Sequence, residues 1–209
     1  RVNKEIKDNI KDEEKLITAT AGPLLNSDGK KIRPLLTLLI SRMLKYRGSA
    51  DVTLAACIEF IHNATLLHDD VIDTGKLRRG KKSANEIWGN KVSVLVGDYL
   101  LSKAFKLMVK NKSLKLLEIL SQTSLVLARG QIQDVGNTQN IKLSEKKYLS
   151  IINAKTAELF RVSCFLPTII AQQNKKIQKI FNEFGYYFGM SFQLSDDILD
   201  YFGPVSYTH

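Results

Sequence analysis

The chain has 209 residues, 44% of them apolar, with 12 glycines and 4 prolines, which suits one compact domain with a sizeable core and excludes a low-complexity chain. No apolar run approaches the roughly 18 to 20 residues that cross a bilayer, so a soluble chain is expected. Basic residues outnumber acidic ones 31 to 21, a net charge of +10, which suits nucleic acid, an anionic membrane surface or a phosphorylated small molecule without choosing among them.

Arg1 opens inside a charged, helix-like segment, with no initiator Met and no signal-peptide pattern; any targeting sequence would lie upstream. The hydrophobic period is helical from there on. PLLTLLISRMLKY, VTLAACIEFIHNATLL, KVSVLVGDYLLSKAFKLM, LKLLEILSQTSLVLARGQIQDV and KIFNEFGYYFGMSFQLSDDILDY each predict a helix of three or more turns. The breaks fall at NSDGKKIRP, KYRGSAD, DTGKLRRGKKSAN and VGNTQNIKLSE, and strand-like alternation is confined to short pieces such as VSVLV. The fold class is therefore all-α, a bundle of long helices in one domain over 1–209. Cys57 and Cys164 lie far apart in apolar surroundings and read as small buried hydrophobes, not as a disulfide or metal pair. A reducing compartment fits that reading.

The helix IEFIHNATLL runs into HDDVID, which sets Asp69, Asp70 and Asp73 together. Carboxylates this close repel one another, and a core-facing helix end desolvates them, so the cluster calls for a cation. FQLSDDILDY repeats the D-D-x-x-D spacing in Asp196, Asp197 and Asp200, again at the end of an apolar helix. In each cluster the first and last aspartates share a helix face, about 5 to 6 Å apart at Cβ. The middle one is about 100° round. Two such helix ends facing each other would make a carboxylate cage, and hard oxygen ligands in that number suit Mg²⁺ completed by water and phosphate oxygens. A single such cluster is more often a solvated helix face; two after long apolar runs are not. The EF-hand loop is missing, and a His-Asp phosphohydrolase site at His68 lacks further histidines besides His62 and His209.

A cation site implies an anionic ligand. DTGKLRRGKK supplies Lys76, Arg78, Arg79, Lys81 and Lys82, and GKKIRP places Lys30 and Arg33 before a helix with Pro34 in its first turn. Arginine grips phosphate oxygens in a bidentate fork and lysine acts as a point charge. Alone, each basic run reads as a solvated loop; beside an aspartate cluster the pair would neutralise a diphosphate from both sides.

The order GKKIRP, IEFIHNATLLHDDVID, RRG, GQIQD, KTA and FQLSDDILDY resembles the trans-prenyltransferases, the isoprenyl diphosphate synthases, and is most similar to their long-chain polyprenyl branch that makes quinone side chains. The resemblance runs from Asp28 to Tyr201. It implies an isoprenoid synthase bundle of long, mostly antiparallel helices around a central cavity, a homodimer, and three Mg²⁺ per active site held by Asp69, Asp70, Asp73, Asp196, Asp197 and Asp200. It implies that Arg78 and Gln131 meet the allylic diphosphate, and that Arg79, Lys30, Arg33 and His62 surround isopentenyl diphosphate. Lys155, Thr156 and Gln193 would stand near the reacting carbons, Asp134 would support the metal shell, and His68 would pack or support. The reaction implied is Mg-dependent condensation of isopentenyl diphosphate with an allylic diphosphate: ionisation of the allylic C–O bond, attack by the isopentenyl double bond, and proton loss to the released diphosphate.

In short-chain members the positions four and five before the first aspartate carry aromatic rings; here they are Thr65 and Ala64, with Ile61 and Cys57 further back. A medium-to-long all-trans product is expected unless Phe60 or a partner helix closes the tunnel. Two departures stand out. Asp28-Gly29 replaces the usual glycine pair, and the chain ends FGPVSYTH where the family continues with a lysine-bearing loop. A domain truncated on its C-terminal side and lacking its native N-terminus is therefore expected. The alternatives are a short-chain farnesyl or geranylgeranyl diphosphate synthase, a noncatalytic subunit of a heteromeric synthase, and a cyclising or head-to-head terpenoid enzyme. No nucleic-acid motif appears. Cytoplasm and a mitochondrial or other organelle matrix are both open, with peripheral membrane association for release of a long product.

Overall fold

The structure, a computed structural model, describes residues 1–26, 29–78 and 80–202. It is all-α, as its sequence period predicts. The described chain divides into two compact units, one of residues 1–35 with 49–112 and one of residues 36–48 with 113–202.

The first unit holds α1 (Val2–Ile10), α2 (Lys15–Leu25), the start of α3 (Ile32–Met43), α4 (Ala50–Ile72), α5 (Ala84–Trp88) and α6 (Asn90–Lys110). Its axis is α4, whose Leu54, Ala55, Ala56, Cys57, Ile58 and Phe60 are fully buried. Helix α1 lays Val2, Ile6 and Ile10, an i, i+4, i+8 stripe, toward the core. Helix α6 crosses α4 through buried polar ties, Ser93 Oγ donating to the Leu67 carbonyl at 2.9 Å and Cys57 Sγ to the Ala104 carbonyl at 3.5 Å. Against the sequence expectation, α4 is long and apolar enough to cross a membrane, because the helix runs on through the first aspartates to 23 residues. The protein interior covers 72% of its most apolar window, which accounts for that apolar character.

The C-terminal end of α4 is closed by its backbone. The Gly75 N–H reaches the Asp70 carbonyl at 2.9 Å, and Thr74 adopts φ +51°. This is a Schellman-type closure with a β-branched residue where glycine usually stands. The Gly75 carbonyl then receives Ser83 Oγ at 2.6 Å and Asn85 Nδ2 at 3.1 Å. Between these anchors runs a short antiparallel hairpin, β1 (Leu77–Arg78) and β2 (Lys81–Lys82). The sequence marks this stretch as a break and a basic run, not as a hairpin.

The second unit holds the rest of α3, α7 (Leu114–Val135), α8 (Glu145–Ile152), a π-helical turn at Asn153–Ala157, α9 (Glu158–Ile170) and α10 (Lys175–Phe202). Helix α7 starts at a capping serine, Ser113, whose oxygen accepts from the Leu116 N–H. Pro167 inside α9 leaves the Ser163 carbonyl without its helical donor, and the buried Thr37 hydroxyl of α3 takes that carbonyl at 3.0 Å. Two glycines bring backbones against the π-turn. A Cβ on Gly189 of α10 would stand 2.5 Å from Ala157 Cα, and one on Gly130 of α7 would stand 2.9 Å from Lys155 N. Phe160 packs between Phe188 and Phe192 of α10, at centroid distances of 5.3 and 5.1 Å.

Candidate active site

In the first unit the period of α4 sorts the site residues. His62, Thr65, Leu66 and Asp69 are half-buried on one stripe that continues to the exposed Asp73, whereas Asp70 is 1% exposed. Asp70 faces inward because Arg78, delivered by the hairpin, pairs with it: Nε donates to Oδ1 at 3.0 Å and Nη2 contacts the same oxygen. The sequence placed both residues at the site but not this pairing. The other Asp70 oxygen, Oδ2, is buried without a hydrogen-bond partner among the described residues.

Arg33 and His62, predicted neighbours of one substrate, are brought together, Arg33 Nη1 lying 3.4 Å from His62 Nε2. Lys30 is exposed at the start of α3. The adjacent Lys31 does structural work that the sequence does not distinguish, its Nζ donating to the Leu25 carbonyl at 2.6 Å and to Asn3 Oδ1 at 2.9 Å. Arg79 and Asp28 lie outside the described residues. A cavity of about 610 Å³ gathers Arg78, Lys81 and Lys82 with Trp88 and the α2 residues Thr20 and Leu24. His68 fastens helices, its Nε2 3.2 Å from the Val94 carbonyl and 3.3 Å from Asp98 Oδ1 on α6. Of the two chain-length positions, Ala64 is in the core at 2% exposure and Thr65 is on the half-open stripe one turn before Asp69.

In the second unit, residues distant in sequence line one cavity of about 550 Å³: Asp134, Lys155, Thr156, Gln193, Asp197 and Asp200, with Ile151 and Ile152 supplying apolar wall. The π-turn positions Lys155 and Thr156. Lys155 Nζ donates to Asp134 Oδ2 at 2.6 Å. The Thr156 hydroxyl donates to Gln193 Oε1 at 2.6 Å, Gln193 Nε2 donates to Asp197 Oδ1 at 2.8 Å, and the Tyr148 hydroxyl donates to Asp197 Oδ2. Asp196 is exposed and Gln131 half-buried, and neither lines the cavity. Burial, then the bond to Asp197, pushes the Tyr148 phenol up to about 12, so it stays a proton donor at neutral pH. Sequence reasoning passed over Tyr148. The signal was available: it sits seven residues before Lys155, two turns back on what becomes one side of a continuous helical segment.

Among the described residues, no three acidic, histidine or cysteine side chains converge to hold a metal by themselves. Mg²⁺ takes one or two carboxylates and completes its shell with water and phosphate oxygens. Asp70 Oδ2, a buried hard oxygen with no proton donor, fits such an ion.

The chain is 41% identical over 200 residues to the octaprenyl diphosphate synthase of Escherichia coli (strain K12), covering 96% of this chain and 62% of that one. The solved decaprenyl diphosphate synthase from Rhodobacter capsulatus superposes with a TM-score of 0.93 at 40% identity, covering 96% of this chain and 62% of that one. A polyprenyl synthase from Caulobacter crescentus CB15, solved with calcium and isoprenyl diphosphate, gives 0.94 at 42% identity, covering 98% and 62%. The chain thus spans about 62% of the length of the curated relative it matches. With an all-α fold, two D-D-x-x-D helix ends and a match to the polyprenyl synthetase family over residues 14–208, the chain belongs to that family.

Proposed function

We propose that the protein condenses isopentenyl diphosphate with an allylic diphosphate to make a medium-to-long all-trans polyprenyl diphosphate. The observation that carries this reading is the second unit's cavity, where Asp197, Asp200 and Lys155 meet the apolar Ile151 and Ile152. Carboxylates for an ion-bound diphosphate, a cation for phosphate oxygens and an apolar wall for hydrocarbon are what an allylic diphosphate requires. Asp69, Asp70, Asp73, Asp196, Asp197 and Asp200 would hold Mg²⁺, of which the reading expects three. The similar Caulobacter protein, solved with calcium and isoprenyl diphosphate, supports a divalent cation with that ligand class. When bound, Mg²⁺ draws charge onto the departing diphosphate.

The chain's own residues do the rest. Arg78 and Gln131 bind the allylic diphosphate; Lys30, Arg33, His62 and Arg79 bind isopentenyl diphosphate. Lys155 neutralises departing phosphate charge, while the Thr156 and Gln193 oxygens offer dipoles to the allylic cation without trapping it. The allylic C–O bond breaks, the new C–C bond forms, and the proton leaves to the released diphosphate. Asp134 and Asp197 already accept hydrogen bonds from Lys155 and Gln193. The small Thr65 on the open stripe favours a longer product, as does similarity to octaprenyl and decaprenyl synthases. A homodimer, a cytoplasmic or organelle-matrix setting and transient membrane contact for product release belong to the same reading.

The test is incubation of the full chain with radiolabelled isopentenyl diphosphate, an allylic primer and Mg²⁺, with the products sized after dephosphorylation. A chelator-sensitive ladder of long polyprenols, lost in Asp69→Ala and Asp196→Ala at unchanged helix content, is expected. Products ending at three or four isoprene units would sink the long-chain part. Incorporation only with an added partner synthase would replace the reading with a noncatalytic subunit.

A further inference from the structure

The second unit's cavity contains a directed hydrogen-bond chain whose far end has no assigned role. Asp197 is engaged on both oxygens, by the Tyr148 hydroxyl on Oδ2 and by Gln193 Nε2 at 2.8 Å on Oδ1. A carboxylate only accepts, so the amide of Gln193 must turn its N–H₂ toward Asp197 and its carbonyl the other way. That carbonyl meets Thr156, which has one hydroxyl proton and gives it to Gln193 at 2.6 Å. Thr156 is left with lone pairs alone for whatever enters the cavity it lines. Reversing the amide would set an oxygen against Asp197 and free the Thr156 proton to point at the ligand. The polarity of the whole chain is thus set at Asp197.

Tyr148 holds Asp197 in that role. Its ring packs against the buried cluster of Ile152, Ala157 and Met190, so the reach of its hydroxyl is defined by α8. We propose that Tyr148 is a positioning residue: by holding Asp197 Oδ2 it keeps Oδ1 on Gln193, and through Gln193 it presents the Thr156 hydroxyl to the substrate as an acceptor only. An acceptor-only oxygen suits a developing allylic cation, toward which an O–H proton would be repulsive. The inference rests on the allylic substrate reacting beside Thr156.

The experiment is a double-mutant cycle on the full chain with isopentenyl diphosphate, an allylic primer and Mg²⁺, comparing wild type, Tyr148→Phe, Thr156→Val and the double variant. Tyr148→Phe is expected to lower kcat about tenfold, the size of one charge-assisted hydrogen bond, with KM for both diphosphates within about twofold. In the Thr156→Val background the same change should do almost nothing, because no hydroxyl remains to be directed. An equal tenfold loss in both backgrounds, an unchanged kcat or a loss carried by KM would overturn the proposal. A crystal structure of Tyr148→Phe gives a second readout independent of turnover. The Gln193–Thr156 distance should open beyond about 3.5 Å, and a chain that stays closed refutes the role of Tyr148. A wild-type protein making no prenyl product would defeat the proposed reaction, while that structure still decides the positioning. Should the Phe variant fail to fold, 4-aminophenylalanine at 148 keeps a donor and O-methyltyrosine removes it. The first should behave as wild type and the second should not; equal behaviour overturns the idea.

Discussion

Replacing Gly189 by alanine adds one methyl where α10 meets the π-turn. The new Cβ would stand 2.5 Å from Ala157 Cα, 2.9 Å from Ala157 Cβ and 3.0 Å from Phe160 Cβ. Carbon contacts settle near 3.5 to 4.0 Å, so the backbones must part by about 1 Å. The atoms in the way are main chain and Cβ, not the flexible end of a side chain, so no rotamer change relieves them. Overpacking of this kind costs about 1–3 kcal/mol, against which alanine gains up to about 1 kcal/mol over glycine in a helix. A net loss of up to about 2 kcal/mol follows. The displacement falls one turn from Gln193, whose bond to Thr156 is 2.6 Å, so turnover should fall beyond what stability explains. The assay is urea unfolding followed by circular dichroism, with product formation measured well below the unfolding midpoint. Gly22→Ala in α2 is the control: its nearest neighbour would be 3.9 Å away, so it should gain about 0.5–1 kcal/mol. If Gly189→Ala is as stable and active as wild type, the close approach of α10 to the π-turn is wrong.

Three further outcomes are expected. Arg78→Gln leaves Asp70, 1% exposed, without its cation, and should cost about 3 kcal/mol in thermal unfolding. Added Mg²⁺ should recover part of that loss if Asp70 Oδ2 is a ligand, and none if it is not. Thr74→Gly relieves a β-branched residue at φ +51° and should raise the urea-derived stability by about 1 kcal/mol; a decrease would deny the strain. Glu13 is held below the ordinary glutamate range chiefly by its hydrogen bond from Lys103 and secondarily by Tyr99. Its folded value being depressed, its contribution to stability is present above the ordinary glutamate pKa and is lost as pH falls through the folded one. Unfolding midpoints of wild type should therefore drop more steeply than those of Lys103→Met in that acidic window, and parallel curves would refute the bond.

The helix period of α4, α6, α7 and α10 is readable because long apolar stripes leave little choice of secondary structure; LKLLEILSQTSLVLARGQIQDV coincides with α7. The aspartate clusters are readable because carboxylates at that spacing need a counter-charge. What the sequence hides is pairing and backbone detail. Asp70 and Arg78 are both conspicuous, yet only the fold shows that one clasps the other. Lys30 and Lys31 look alike, and only the placement of the Leu25 carbonyl separates them. The KTA stretch stands out as a motif, but α8, the π-turn and α9 around it do not. A π-turn has no residue signature of its own, and its short polar flanks blur the apolar period. Tyr148 lies outside that motif, and only its spacing of seven residues from Lys155 marks it.

The π-turn also predicts where this chain tolerates changes of length. Each residue of an α-helix advances the chain by about 100°, and a π-turn accommodates one residue more than that winding allows. Deleting any one residue from Asn153–Ala157 could restore regular winding without breaking the helix. Because the π-turn absorbs that extra residue, α8 and α9 would keep nearly the same phase, but the turn that aims Lys155 and Thr156 into the cavity would be lost while composition and helix content stay nearly unchanged. Insertions in the turn-rich stretch between α7 and α8 have no such lever. Length variation among functional versions of this chain should therefore collect between Gly136 and Leu143, and the spacing from Tyr148 to Thr156 should admit none.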